Sequence, residues 1–442
     1  MFGTGGGSYL DIIYSILKMK RQHYIAGALM CGLGIQAMSC SSQRNAGAVK
    51  LGLDKEFIHS NLEDARKQII YLASSINESD MPTTYKDGKY VNWGSSWWCS
   101  GFYPGTVLYL YEYSKDEQLL AEAKRKLKHL EKEKNNKGTH DLGFMLYCSF
   151  GNALRLTGDS AAYKEILSTG AASLATRFHE APKTIRSWDG GKNWDGQPWT
   201  YPVIIDNMMN LEFLTEVSKM TGDKRYRDIA VQHANTTMVN HYRKDYSSYH
   251  VVDYNPNDGS IISRKTAQGA FDESAWARGQ AWGLYGYTMM YRETGDKKYL
   301  EQARHIAQYY LNHPNLPKDL IPYWDMDQNK LTSDSKYDSQ KDLRDVSTAS
   351  VTASALLELA QYTRGGESQL YISKAEQMLR SLSSKPYKAD FKEAGGYILK
   401  HSVGSIPHKT EVDVPLTYAD YYYVEALMRY NRLLLGEKVI KQ

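Results

Sequence analysis

Four cysteines in 442 residues are too few for a disulfide scaffold, and no two of them form a Cys-x-x-Cys pair. The formal net charge of +4 is too small to mark a nucleic-acid binder, so no nucleic acid is expected as a partner. His140, His233, His241 and His250 are not spaced as ligands on one helix turn, so no metal site is expected. There is no Gly-rich phosphate loop after a strand and no Gly-x-Ser-x-Gly elbow. These gaps exclude several enzyme classes and leave carboxylate chemistry open.

What the chain does have is aromatic. Phe, Trp and Tyr make up 12% of it, and 35 of these residues are Tyr. Tyr and Trp offer flat apolar faces with polar edges, which suit a pyranose ring. Many of the Tyr will instead pack helices and keep their hydroxyls wet. A content of 42% hydrophobic and 24% charged residues fits a globular protein.

Residues 1–39 read as an N-terminal extension followed by an export signal. Met19-Lys20-Arg21-Gln22-His23 is a basic start, and Ile25 to Met38 is an apolar stretch too short to span a bilayer as a free helix. It ends in Ala37-Met38-Ser39-Cys40, the form of a lipoprotein cleavage box. Cys40 is then the expected lipidation site, and the body is expected in the periplasm, lipid-anchored to a membrane of a Gram-negative bacterium. A simple N-terminal membrane anchor is the alternative. Residues 40–57 read as a tether, and residues 58–442 as the catalytic domain. Cys99 and Cys148 remain in that domain and are expected to be buried.

The domain is punctuated by a recurring turn. Thr157-Gly158-Asp159, Thr221-Gly222-Asp223 and Thr294-Gly295-Asp296 each place a Gly to end one helix and an Asp to cap the next. Ser114-Lys115-Asp116 and Arg364-Gly365-Gly366 read as degenerate copies. An apolar, Tyr-rich helix precedes each turn and a more charged one follows. About six such hairpins fit, with long Gly-, Trp- and Pro-rich insertions between them. The expected fold is all-α, an (α/α)6 barrel with its long loops gathered at one mouth. An open solenoid would keep a more regular period.

Two acids stand out. Asp206 follows the apolar run Pro202-Val203-Ile204-Ile205 and heads a predicted helix, and Asp141 enters another in His140-Asp141-Leu142-Gly143-Phe144. Paired acids in a Trp- and Tyr-rich protein point to acid/base work on a sugar. The plainer alternative is that both are helix N-caps. Other candidates cluster in or beside the insertions: Trp188, Trp194 and Trp199, then His250 to Tyr254, then Gln268. Arg278 and Trp282 are four apart and share a helix face, pairing a carboxylate-binding fork with a stacking plane. An Arg packed on a Trp for stability alone would look the same.

In order along the chain, Trp98 to Gly105, His140 to Phe144, Ile205 to Leu211, His250 to Tyr254, Ala277 to Gly283 and Asp413 to Tyr421 together resemble glycoside hydrolase family 88, the unsaturated glucuronyl hydrolases. The resemblance spans most of residues 60–435 and implies an (α/α)6 barrel. It implies Asp206 as general acid/base and Asp141 as the second essential acid. It places His250, Gln268, Arg278 and Trp282 around the unsaturated sugar. Trp194 takes the further stacking position, with Trp188 and Trp199 as rivals, and His140 joins this binding set as the neighbour of Asp141. The implied substrates are oligosaccharides left by polysaccharide lyases, and the implied step is hydration of a vinyl ether, with no cofactor. Family 105, sugar 2-epimerases on the same barrel, and a non-catalytic glycan-binding lipoprotein are the rivals. The two-Asp arrangement argues against the last two.

Overall fold

The computed structural model describes residues 49–158 and 160–441. The signal segment, Cys31, Cys40, most of the tether and Asp159 lie outside them. Residues read as the end of the tether already lie against the body. Leu53 is buried, its amide donates to the Tyr430 hydroxyl, and the Gly52 amide donates to Glu376.

Among the described residues twelve α-helices form six inner–outer pairs. Six form an inner ring: α2 (Phe102–Ser114), α4 (Asn152–Thr157) with the π-helical turns Gly143–Gly151 ahead of it, α6 (Leu211–Thr221), α8 (Ala277–Thr294), α10 (Val346–Leu359) and α12 (Thr417–Leu434). Each touches the next, and α12 closes back on α2. Six form the outer ring: α1 (Lys55–Ser75), α3 (Glu117–Leu130), α5 (Ser160–Ala175), α7 (Lys224–Asn240), α9 (Lys297–Leu311) and α11 (Gly365–Leu382). This is the expected (α/α)6 barrel.

The sequence explains which helix goes where. Along α10 every residue from Val346 to Leu359 is buried, as a helix enclosed on all sides requires. In α3 only Leu119, Glu122, Ala123, Lys126, Leu127 and Leu130 are buried, one stripe at helical spacing. The turns between inner and outer helices behave as their chemistry dictates. Gly222 and Gly295 sit at φ 79° and 71°, and Asp223 and Asp296 accept from the amides of Arg225 and Lys298. The copy at Lys115 adopts φ 56° without a glycine, and Asp116 caps the next helix through the Gln118 amide.

The irregular insertions of this helical barrel carry short antiparallel strands, which the sequence reading did not resolve. These are β1 (Met81–Lys86) with β2 (Lys89–Trp93), β3 (Phe178–His179) with β4 (Thr184–Ile185), a sheet of β5 (Pro202–Ile204), β6 (Val251–Tyr254) and β7 (Ile261–Lys265), and β8 (Ser402–Ser405) with β9 (Thr410–Val414). Apolar β-branched pairs such as Val203-Ile204 and Val251-Val252 pair with each other across the sequence. Local periodicity cannot show such partners.

Candidate active site

The inner helices all start at the mouth that carries the candidate residues. Trp98 precedes α2, Asp141 precedes the π-helical turns, Asp206 lies in the 3-10 turn Ile205–Asn210 before α6, and Arg278 and Tyr418 open α8 and α12. All five line a cavity there. Helix N-termini carry partial positive charge, so this mouth favours an anion.

The cavity has two connected chambers. The inner one, about 190 Å³, is lined by His140, Asp141, Asp206, Gln268 and Arg278, among others. The outer one, about 450 Å³, includes Trp188, Trp194, Trp199, His250, His408 and Glu411 in its wall. Trp98, Trp188, Ile204 and Gln268 line both chambers.

The capping alternative fails for both acids. Asp206 accepts no backbone amide among the described residues, and its Oδ1 is buried with no hydrogen-bond partner. Asp141 accepts only from its neighbour Thr139, whose hydroxyl lies 2.6 Å from Oδ2. Two carboxylates, Asp206 buried and Asp141 half-buried, are left free of capping and available for chemistry. Burial pushes the Asp141 carboxyl up; the Asp206 charge adds to this, while His140 and the Thr139 hydroxyl oppose it.

The two helix heads are held together by Asn210 and Gly143. The Phe144 amide donates to Asn210 Oδ1 at 3.2 Å. A Cβ on Gly143 would lie 2.7 Å from Asn210 Cα, closer than real contacts allow. Only glycine permits this approach of the segments bearing Asp141 and Asp206.

The histidines are oriented too. His140 Nε2 lies 3.2 Å from Asp141 Oδ1. His250 Nδ1 accepts from the amides of Ala267 and Gln268, each at 3.1 Å. Two donors on Nδ1 require its lone pair, so the proton of the neutral ring sits on Nε2. That N–H has no partner among the described residues and faces Asp206 Oδ1 at 3.6 Å, beyond hydrogen-bond range but open to a ligand. The carbonyl of His250 accepts from the Ile205 amide at 3.1 Å, so sheet pairing sets His250 beside the Asp206 turn.

Arg278 and Trp282 depart from the simple clamp. The Arg278 fork is occupied. Nη1 meets Asp345 Oδ2 at 2.7 Å and the Val403 carbonyl at 2.6 Å, and Nη2 meets the Gly404 carbonyl at 2.7 Å. Only Nε lacks a partner among the described residues. Trp282 is fully buried between Phe144 and Tyr422, at 5.3 and 5.5 Å between ring centroids, and lines neither chamber. The two share a helix face as expected, but that face splits between cavity wall and core. Gln268 reaches both chambers and donates from Nε2 to the Gly404 carbonyl at 3.1 Å. Trp194 is half exposed, with its indole N–H on the Ala267 carbonyl, and Trp188 and Trp199 meet edge to face beside it. All three therefore line the cavity. Sequence reading gave no role to Asp345, His408, Glu411 or Tyr418. Asp345 had a signal, since it caps α10 through the Ser347 amide, but its pairing with Arg278 bridges 67 residues.

An (α/α)6 barrel whose open mouth gathers two uncapped carboxylates, two oriented imidazoles and a wall of indoles is a sugar-processing enzyme. Comparison with known proteins gives its family. The profile of Glycosyl Hydrolase Family 88 matches residues 72–432, and the chain belongs to that family. It is 44% identical over 338 residues to the unsaturated glucuronyl hydrolase of Formosa agariphila, covering 76% of this chain and 81% of that one. It is 32% identical to the unsaturated chondroitin disaccharide hydrolase of Streptococcus pyogenes serotype M1, covering 86% and 92%. The crystal structure of an unsaturated glucuronyl hydrolase specific for heparin superposes with a TM-score of 0.80 at 45% identity, over 88% of this chain and all of that one.

Proposed function

We propose that the chain hydrolyses lyase-generated glycosaminoglycan oligosaccharides, removing the 4,5-unsaturated uronate from the non-reducing end. The observation that carries this reading is the pair Asp141 and Asp206, uncapped and facing one cavity. Family membership supports it. The unsaturated uronate is a vinyl ether conjugated to a carboxylate. Protonation at C4 places positive charge on C5 and the ring oxygen. Water then adds at C5, the hemiketal opens and the remaining sugar leaves.

Asp206 gives the proton to C4 and takes one back from the attacking water. Asp141 stands beside it as the second acid of the site. His250 offers Nε2–H to the sugar, and the inner-helix N-termini stabilise the uronate carboxylate. Gln268 and Arg278 form the wall behind it. Trp194, with Trp188 and Trp199, gives the leaving sugar an apolar face. The test is loss of alkene absorbance on unsaturated disaccharides from chondroitin, hyaluronan and heparin. Turnover of at least one is expected, and a purified, folded protein that bleaches none would end the reading.

Attachment to a membrane through Cys40, with the body in the periplasm, rests on the sequence pattern alone. Cys40→Ser should move the protein from the membrane to the soluble fraction. Unchanged fractionation would remove the lipid anchor from the proposal.

A further inference from the structure

Asp325 is a fully buried acid that the proposed mechanism does not use, and it lines neither chamber. Burial pushes its carboxyl up to about 6, against the pull of the Ala270 amide and the Ser274 hydroxyl. A buried acid costs free energy even when it is hydrogen-bonded, so its retention calls for a reason.

The reason lies in the loop that wraps it. Residues 266–274 leave β7 and lead towards α8. They fold round the Asp325 carboxylate. The Ala270 amide donates to Oδ2 at 2.9 Å, and the Ser274 hydroxyl donates to the same oxygen at 2.7 Å. The Asp327 amide donates to Oδ1 at 2.9 Å and so fixes the plane of the carboxylate. The backbone of Asp325 is fixed as well, by its bridge to Trp276 just before α8. Gly269 lets the loop close on this anchor. A Cβ there would lie 2.7 Å from Thr266 Oγ1 and 3.1 Å from Asp325 Oδ2. The space is thus taken by the groups that hold the turn, and the Gly269 amide itself donates to Thr266 Oγ1 at 2.7 Å.

What the closed loop delivers is two consecutive amides, those of Ala267 and Gln268, aimed at His250 Nδ1. Among the described residues no other group hydrogen-bonds the His250 ring. Its remaining support is packing on Trp276, at 4.5 Å between ring centroids, which does not tell one ring nitrogen from the other. The two amides therefore choose the tautomer. Without them a proton on Nδ1 would leave a lone pair on Nε2, facing Asp206 and the ligand where a donor now stands.

We propose that Asp325 is a positioning residue: by anchoring residues 266–274 it aims the Ala267 and Gln268 amides at His250 and keeps the proton of that imidazole on Nε2. Its consequence for turnover rests on the hydrolase reading above; its consequence for the imidazole does not.

The experiment uses the full chain with nitrogen-15 in its histidines, at pH 8, where a free histidine is neutral. Ring nitrogen signals separate a protonated nitrogen from a bare one, and His250→Gln assigns those of His250 by their loss. Wild type is compared with Asp325→Asn, which keeps the shape but turns an NH2 towards groups that donate, and with Gly269→Ala, which crowds the loop and leaves the acid in place. A melting curve checks the fold of each. Wild type should show a bare Nδ1 and a protonated Nε2. In at least one folded variant the two signals should move towards each other as the tautomers mix. In that variant kcat/KM on the unsaturated disaccharides should fall about tenfold or more. The proposal is overturned by a wild-type proton on Nδ1, or by the wild-type pattern persisting in every folded variant, whatever their activity. Mixed tautomers with kcat/KM within about threefold of wild type, or failure of both variants to fold, would overturn it too. A wild type with the expected pattern that turns over no unsaturated disaccharide would instead overturn the hydrolase reading, and the spectra would still decide what Asp325 does to His250.

Discussion

The two mouths of the barrel are built from the same six inner helices and solve opposite problems. At the N-terminal mouth polar groups are left open: Asp206 Oδ1, His250 Nε2, His140 Nδ1 and Arg278 Nε are all buried without a partner among the described residues. At the C-terminal mouth charges are more numerous and are paired. Arg292 meets Glu212, Glu293 and Glu358, Arg429 meets Glu358 and Glu425, and Arg432 and Arg155 share Glu112. The arginines there stand where the helix C-termini carry partial negative charge. Buried charge thus serves structure when it is paired and becomes available for chemistry when it is not.

The sharpest way to break this comparison is to neutralise one group at each mouth. Asp206→Asn keeps the shape and removes the transferable proton, so kcat should fall by roughly 10² to 10⁴. The fold should survive, because Asp206 caps no helix and bonds no backbone amide among the described residues. Steady-state bleaching of the alkene, with a melting curve beside it, checks both halves. A variant that bleaches near the wild-type rate would return Asp206 to a structural role.

Arg292→Met should do the reverse. It leaves Glu212, Glu293 and Glu358 to repel one another in a buried site, and removal of one partner from such a network costs about 3–5 kcal/mol. Denaturant unfolding should show this loss. The folded fraction should keep its KM, because Arg292 lines neither chamber of the site. A large KM change without loss of stability would show that the mouths are coupled rather than separate.

How much of this was legible depends on the range of each signal. The turns at Gly222 and Gly295 were, because a left-handed Gly followed by a capping Asp is a local pattern. So were Asp141 and Asp206, which sit at helix heads where a sequence reader looks for caps. That they cap nothing was not legible, since it depends on where each carboxyl points. The occupied fork of Arg278 was hidden for a different reason: Asp345 comes from the head of α10 and Val403 and Gly404 from β8, all distant in sequence. Trp282 misled because a shared helix face is not a shared environment. One turn of α8 separates the cavity wall from the core packed by Phe144 and Tyr422. Asp325 was unreadable because its partners Ala270 and Ser274 stand 55 and 51 residues away.

The smallest expected effect separates the two acids by stability rather than rate. The Asp141 carboxyl is raised above its ordinary value, chiefly by burial. An acid raised by folding holds its proton more tightly folded than unfolded. Its contribution to stability is therefore complete below the unfolded value and is lost as pH rises through the folded one. At pH 8 the folded protein bears the cost of an ionised, half-buried Asp141 beside Asp206, and at pH 4 it bears much less. Asp141→Asn cannot ionise, so its melting temperature should exceed that of wild type at pH 8, and the gap should narrow towards pH 4. Its activity should fall at the same time, because the inner chamber loses one of its two acids. Such a variant would be more stable and less active through one atom exchange, as expected where a site retains charge for chemistry. A melting difference that stays constant from pH 4 to pH 8 would mean that Asp141 is not destabilised by its charge. The open mouth would then differ from the paired one in geometry but not in electrostatic cost.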